Sequence, residues 1–206
     1  SVDVLDYLNT NLLQQDDDLD ALKAQTDKMP EKKMQITKEQ GAFLTFLIQS
    51  FNIKNILEIG VYTGTSTLYM AKAIKDGHIT AIDRNKEWTK IAQKFWKQAQ
   101  VEDKISLHIG DAKNILKNLK DETFDLVFID ADKKNHPLYF EESLRLLKPK
   151  GFILLDNIFL NGTIIKDPSA ELSKTMTGFY KALKDDSRIN QTFLPFYDGM
   201  ILVFKK

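Results

Sequence analysis

The sequence contains no cysteine, which excludes disulfides and thiolate metal sites. It has no surplus of either charge: 29 basic and 29 acidic residues cancel, so there is no global field to draw the chain onto nucleic acid or an anionic membrane. A small or neutral ligand is the expected partner. No apolar run approaches the roughly 18 to 20 residues of a membrane span. The opening SVDVLDYLNT lacks a basic stretch followed by an apolar one, so no leader is expected and the cytoplasm is the expected location. The five prolines are scattered, and no repeat, low-complexity tract or Pro/Gly-rich linker divides the chain. At 206 residues, one domain over 1–206 with a sizeable core is expected, helical over 1–52 and built on a sheet over 53–206.

Three stretches near the start, VDVLDYLNTNLL, DDLDALKAQTDK and TKEQGAFLTFLIQSF, place apolar residues three or four apart, as helices do. Thr37 with Gln40 forms a capping-box pattern at the start of the third. From Asn55 the pattern changes to short β-rich runs, NILEI, HITAID, KISLHIG, FDLVFID and GFILLD. Between them lie the helical stretches STLYMAKAIK, KEWTKIAQKFWKQAQ, AKNILKNL and PLYFEESLRLLK. Strand and helix in strict alternation predict a parallel sheet covered on both faces. The tail breaks the alternation: after the helix SKTMTGFYKALKDD, INQTFLPF and MILVFKK are joined by a turn at Tyr197-Asp198-Gly199. So short a connection requires antiparallel pairing at one edge.

Ligands of open α/β sheets bind outside the carboxyl ends of the strands, and every predicted strand here ends in something polar. The first runs into Glu58-Ile-Gly60-Val-Tyr-Thr-Gly64-Thr-Ser66, a turn either structural or suited to close approach of a ligand to the main chain. Its glycine spacing is not G-x-G-x-x-G, which argues against a dinucleotide. The second ends at Asp83, able to take both hydroxyls of a ribose or to cap the next helix. The third ends at Gly110-Asp111-Ala112, where Asp111 could meet an exocyclic amine or act as a cap. The fourth supplies Asp130 and the fifth Asp156-Asn157. Two desolvated carboxylates brought together repel unless a cation lies between them, and an all-oxygen set suits Mg²⁺, Mn²⁺ or Ca²⁺. Lys133, three residues beyond Asp130, could serve as a base where its ammonium form is disfavoured, whereas Lys134 reads as surface. Trp88 and Trp96 on one helix are expected to pack against the sheet. His136 is expected to be a solvated histidine at a helix start.

Together the segments MQITKEQGAFL, ILEIGVYTGTSTLYMA, IDRNKEWTKIAQKFW, GDA, FDLVFIDADKKN, LLDNIFLNGTI and LPFYDGM resemble the cation-dependent class I O-methyltransferases, which include the caffeoyl-CoA and catechol enzymes. The resemblance implies a Rossmann-like fold with a seven-stranded, mostly parallel sheet, an antiparallel C-terminal hairpin strand, helices on both faces and extra N-terminal helices. It implies S-adenosylmethionine held at its amino-acid end by Glu58, Ser66 and the turn Gly60-Val61-Tyr62, with Asp83 at the ribose and Asp111 and Ala112 at the adenine. The backbone of Ile36 would also touch the cofactor. It implies cation ligation by Asp130, Asp156 and Asn157, a base at Lys133 with Asp130 as its catalytic partner and also beside the cofactor, acceptor contacts at Asp132 and Asn161, and a homodimer. The chain departs from the family pattern at His136, where tyrosine is usual, at Phe159-Leu160, usually Leu-Trp, and at Lys150, usually the first glycine of a Pro-Gly-Gly turn. These departures leave the acceptor open.

Three other functions fit parts of the pattern. Methylation of a hydroxylated uridine in transfer RNA would call for a basic face, and no Lys/Arg cluster larger than a pair such as Lys32-Lys33 is evident. A catalytically silent S-adenosylmethionine-binding module is at odds with a retained Lys133 and a complete ligand set. A nicotinamide dehydrogenase is at odds with the glycine spacing.

Overall fold

A computed structural model describes residues 2–206; Ser1, where the expected domain begins, and the side chains of Val2 and Asp3 lie outside it. Seven strands form one sheet in the order β3-β2-β1-β4-β5-β7-β6. They are β1 (Asn55–Ile59), β2 (His78–Asp83), β3 (Ile105–Ile109), β4 (Phe124–Ile129), β5 (Leu147–Asp156), β6 (Ile189–Leu194) and β7 (Met200–Lys205). The first five pair in parallel, and β7 enters antiparallel between β5 and β6.

Side chains alternate across a strand, so a strand buried on both faces must be apolar throughout. Along β4, Leu126 and Phe128 join one core, while Val127 and Ile129 join the other. The first core is covered by α2 (Asp17–Thr26), α3 (Lys38–Ser50), α4 (Thr65–Ala73) and α5 (Lys86–Gln98), and the second by α6 (Ala112–Leu116), α7 (His136–Leu146) and α9 (Glu171–Asp185). Each fully buried Leu or Ile contributes roughly 1.5–3 kcal/mol, so the double-sided core is the main source of stability. The remaining helices are α1 (Val2–Leu12) and the short α8 (Thr163–Lys166). No described helix is long and apolar enough to cross a membrane.

The expected alternation and tail hairpin are present, with two differences. β5 begins at Leu147, before the GFILLD run, and its pairing with β4 shifts register between Phe124 and Leu126. Within that irregular segment Lys150 has φ +65°, the left-handed conformation that suits glycine, at the position where the resemblance leads one to expect glycine. The helix α8 is too short to carry a readable period.

Asp125 ties the bottom of the sheet together. Its carboxylate accepts the N–H of Asn55 (2.8 Å) and Lys54 (3.1 Å) and pairs with Lys148 at 2.7 Å. Burial alone would raise its pKa, but the Lys148 bond and the two N–H bonds outweigh it and hold the carboxyl below its usual range. A depressed acid stabilises the fold above its unfolded pKa of about 3.9, and that contribution disappears as pH falls through the folded value. Asp125→Ala is therefore expected to cost about 1–3 kcal/mol at neutral pH. In paired thermal melts, the gap from the parent protein should close below about pH 4.

Candidate functional site

The strand order reverses between β1 and β4, each of which continues outward to its own side. Their connections leave in opposite directions there and open a crevice at the carboxyl ends. A cavity of about 900 Å³ occupies this position, within the size range of small-molecule sites.

Gly60 determines how closely the two strand ends approach. It has φ +97°, and a Cβ there would lie 2.2 Å from the Asp130 carbonyl oxygen, so only glycine lets the β1 turn pass β4. The turn continues through Val61 and Tyr62 to Gly64 (φ +85°), where a Cβ would meet Ala92 and Trp96 of α5. Asp83 Oδ2 accepts the N–H of both Val61 and Tyr62 at 2.9 Å, and its Oδ1 accepts Asn85 N–H at 2.7 Å. Asp83 is therefore not the cap of α5; Asn85 is, accepting from the N–H of Glu87 and Trp88. From the other side, Thr26 of α2 donates its hydroxyl to Thr63 at 2.9 Å, anchoring the N-terminal helices on this turn.

Ile36, Gly60, Val61, Tyr62, Ser66 and Asp83 all line the cavity, as do Asp111 and Ala112. Asp111 caps α6 through Lys113 N–H while remaining on the cavity wall, so the two readings of this residue coexist. Glu58 is off the wall. It is fully buried beneath Ser66 and accepts the hydroxyls of Ser66 and, at 2.5 Å, Thr67. Burial pushes its carboxyl up to about 8 against the pull of those two hydroxyls.

A polar cluster surrounds Asp130 on the cavity wall. Asn157 Nδ2 donates to Asp130 Oδ1 at 2.9 Å, and Lys133 Nζ lies 3.4 Å from the same oxygen while donating to the Asp156 carbonyl at 2.8 Å. Neighbouring strand residues normally face opposite ways; Asn157 takes φ +57°, a conformation asparagine tolerates, and so turns toward Asp130 immediately after Asp156. Asp156 itself is 1% exposed and lies behind the cavity wall, its Oδ1 accepting Asn157 N–H (2.8 Å) and Gln40 Nε2 (2.6 Å). Burial, then the charge of Asp130, raise the Asp156 pKa. Among the described residues there is no group of three His, Cys, Asp or Glu side chains arranged for a metal; this set contains two aspartates and an amide.

Asp132 and Asn161 both line the cavity, but each is engaged. Asp132 accepts from Asn135 Nδ2 and, at 2.8 Å, from Tyr139 OH. Asn161 N–H is held by the Asp198 carboxylate at 2.8 and 3.0 Å. Asp198 is a site residue that the sequence offered only as part of a turn. Trp88 was expected against the sheet, yet it lines the cavity edge-on to Tyr62, with ring centroids 5.0 Å apart; Trp96 is buried as expected.

His136 overturns its expectation. Its charged and polar neighbours suggested solvent, but the ring is fully buried at the start of α7, and neither nitrogen has a hydrogen-bond partner among the described residues. Burial, then the positive Lys133 nearby, hold its pKa well below the usual value; the Ala131 carbonyl opposes this slightly without reaching hydrogen-bond geometry. Lys134 is exposed, as expected.

Comparison with known proteins shows the family and the fold. A family model described as O-methyltransferase matches residues 11–206. The probable caffeoyl-CoA O-methyltransferase 1 of Dictyostelium discoideum is 40% identical over 185 residues, covering 85% of this chain and 80% of the relative. A catechol O-methyltransferase of Niastella koreensis is 33% identical over 215 residues, covering 98% and 96%. Among solved structures, an S-adenosylhomocysteine-bound methyltransferase of Podospora anserina superimposes with a TM-score of 0.90 at 28% identity, covering 100% and 94%.

Proposed function

The chain belongs to the O-methyltransferase family and is an S-adenosylmethionine-dependent O-methyltransferase; we propose that it methylates a hydroxyl of a catechol-like or phenolic small molecule and requires a divalent cation, Mg²⁺ foremost, with Mn²⁺ or Ca²⁺ as alternatives. One observation carries the proposal. Asp130, Asn157 and Lys133, the last donating to the Asp156 carbonyl, line the same cavity as the Val61-Tyr62 turn, Asp83 and Asp111. Donor and acceptor can then meet at the tip of β4.

The donor set fits a hard cation. Asp130 and Asp156 supply carboxylates and Asn157 an amide oxygen, with Lys133 the nearby positive charge that compensates them. When bound there, the cation supplies a Lewis acid that favours the phenolate of a hydroxyl whose unperturbed pKa is about 10.

The chain's own residues supply alignment and the proton acceptor. The Gly60-Val61-Tyr62 turn and Ser66 above Glu58 hold the amino-acid end of the methyl donor, with Asp83 at the ribose, Asp111 and Ala112 at the adenine, and the backbone of Ile36 also against the cofactor. Asp132 and Asn161 bound the acceptor pocket. As the acceptor oxygen bonds to the methyl carbon, the carbon–sulfur bond breaks and sulfur keeps the electron pair. Lys133 Nζ takes the hydroxyl proton as the free amine, its own ammonium proton having first left to solvent, and Asp130 steadies that nitrogen.

The direct test is labelled methyl transfer to a panel of catechols, acyl-CoA esters and transfer RNA, with and without Mg²⁺. Transfer to catechols that depends on Mg²⁺ supports the proposal, and transfer confined to RNA overturns it. At the donor end, Asp83→Ala is expected to weaken S-adenosylmethionine binding by about 1–3 kcal/mol, because two turn N–H groups and the ribose lose one acceptor. Calorimetric titration measures this directly. Exposed apolar residues on α1, Leu5, Leu8 and Leu12, together with Phe46 and Phe193, support the further proposal that the chain, a single methyltransferase domain, works as a homodimer.

A further inference from the structure

Gln40 occupies the third position of α3 and is 1% exposed. Both ends of its amide are used. Oε1 accepts Thr37 N–H at 2.8 Å, the return half of the capping box in which Thr37 Oγ accepts Gln40 N–H at 3.3 Å. Nε2 points the other way and donates to Asp156 Oδ1 at 2.6 Å, across 116 residues of sequence.

A capping box accepts Glu as readily as Gln at this position, since its return bond needs only a side-chain oxygen. The cap therefore does not account for the amide. A buried carboxylate does: Asp156 needs donors, and an ionised glutamate in this place would face it with a like charge. Gln40 and Asn157 N–H together occupy Oδ1, and Oδ2 makes no hydrogen bond among the described residues. One oxygen is fixed and the other is left for ligation. The extended segment preceding the cap, Gln35 and Ile36, lines the cavity, so the same side chain also fixes where that segment enters α3.

We propose that Gln40 is a positioning residue that aims the Asp156 carboxylate at the divalent cation. This rests on the cation reading given above. Outer-shell hydrogen bonds of this kind orient a ligand before the ion arrives, and their loss typically weakens metal affinity without removing any ligand.

The test is Mn²⁺ binding to purified protein, measured by electron paramagnetic resonance or calorimetry well below the melting temperature, for the parent, Gln40→Met and Thr37→Ala. Gln40→Met removes the donor to Asp156, whereas Thr37→Ala removes the hydroxyl half of the cap and leaves that donor in place. Gln40→Met is expected to weaken Mn²⁺ binding about 10- to 100-fold, and Thr37→Ala to stay within about threefold of the parent despite a lower melting temperature. Gln40→Asn, whose amide falls one methylene short, takes the place of Gln40→Met should that variant not fold. An unchanged Mn²⁺ affinity on losing the Gln40 donor overturns the proposal and leaves the cation site standing. Equal weakening in Thr37→Ala overturns it as well, reducing Gln40 to a cap. A parent protein that binds no Mn²⁺ overturns the cation reading itself.

Discussion

Asp156→Asn is expected to reduce cation-stimulated methyl transfer by about 10²-fold or more while raising the melting temperature in the presence of a chelator. The two effects share one cause. Asp156 is buried to 1% exposure, and burial together with the Asp130 charge raises its pKa, so the folded state disfavours the ionised form that the unfolded chain accepts freely. For an acid shifted in this direction, stability falls as pH rises above its unfolded value of about 3.9. Asparagine removes the charge yet keeps an oxygen for the N–H of Asn157 and for Gln40 Nε2, so neither of those two donors is left without a partner. Activity loses a ligand where stability loses only a repulsion. Added Mg²⁺ should raise the melting temperature of the parent by mass action and leave Asp156→Asn unmoved. A variant that keeps Mg²⁺-dependent turnover, or one that melts lower in chelator, would contradict the account of this aspartate.

Much of this was legible in the chain, for physical reasons that differ by element. The strands FDLVFI and FILL could be read because a strand covered on both faces has no polar side to display, and the tail hairpin because a turn as short as Tyr197-Asp198-Gly199 permits one pairing sense. Asp130 and the Asp156-Asn157 pair stood out because charge directly after a buried run has to be compensated. Contacts between distant segments could not be read. The Thr37-Gln40 pair announced a helix start, but nothing local reveals that the same amide reaches Asp156. Asp83 illustrates competing uses of one carboxylate: it was a candidate cap, yet Asn85 takes the cap and Asp83 gathers the turn N–H groups instead. His136 was misread because its neighbours are polar, whereas its own side chain points inward at the start of α7. Trp88 was assigned to the sheet on helical spacing, which gives a face but not what that face meets.

Lys133→Met is expected to lower kcat by about 10²- to 10⁴-fold, the range for loss of a general base. It should do so without weakening cation binding. Lys133 Nζ lies 3.4 Å from Asp130 Oδ1 and donates to the Asp156 carbonyl at 2.8 Å, in a side chain only 16% exposed. A positive charge held beside two carboxylates competes with an incoming divalent ion, so removing it leaves Mn²⁺ affinity equal or tighter. A lysine that merely neutralised the aspartates would show the opposite combination, with the fold loosened and turnover lost only in proportion to unfolded protein. Lys133→Arg separates the two roles further. Arginine keeps the charge and the donors but cannot give up its proton in a protein, so it should match methionine in kcat while resembling lysine in stability. Single-turnover methyl transfer at saturating S-adenosylmethionine, measured beside thermal melts, gives both numbers, and an arginine variant that retains the parent rate would show that charge alone is what position 133 requires.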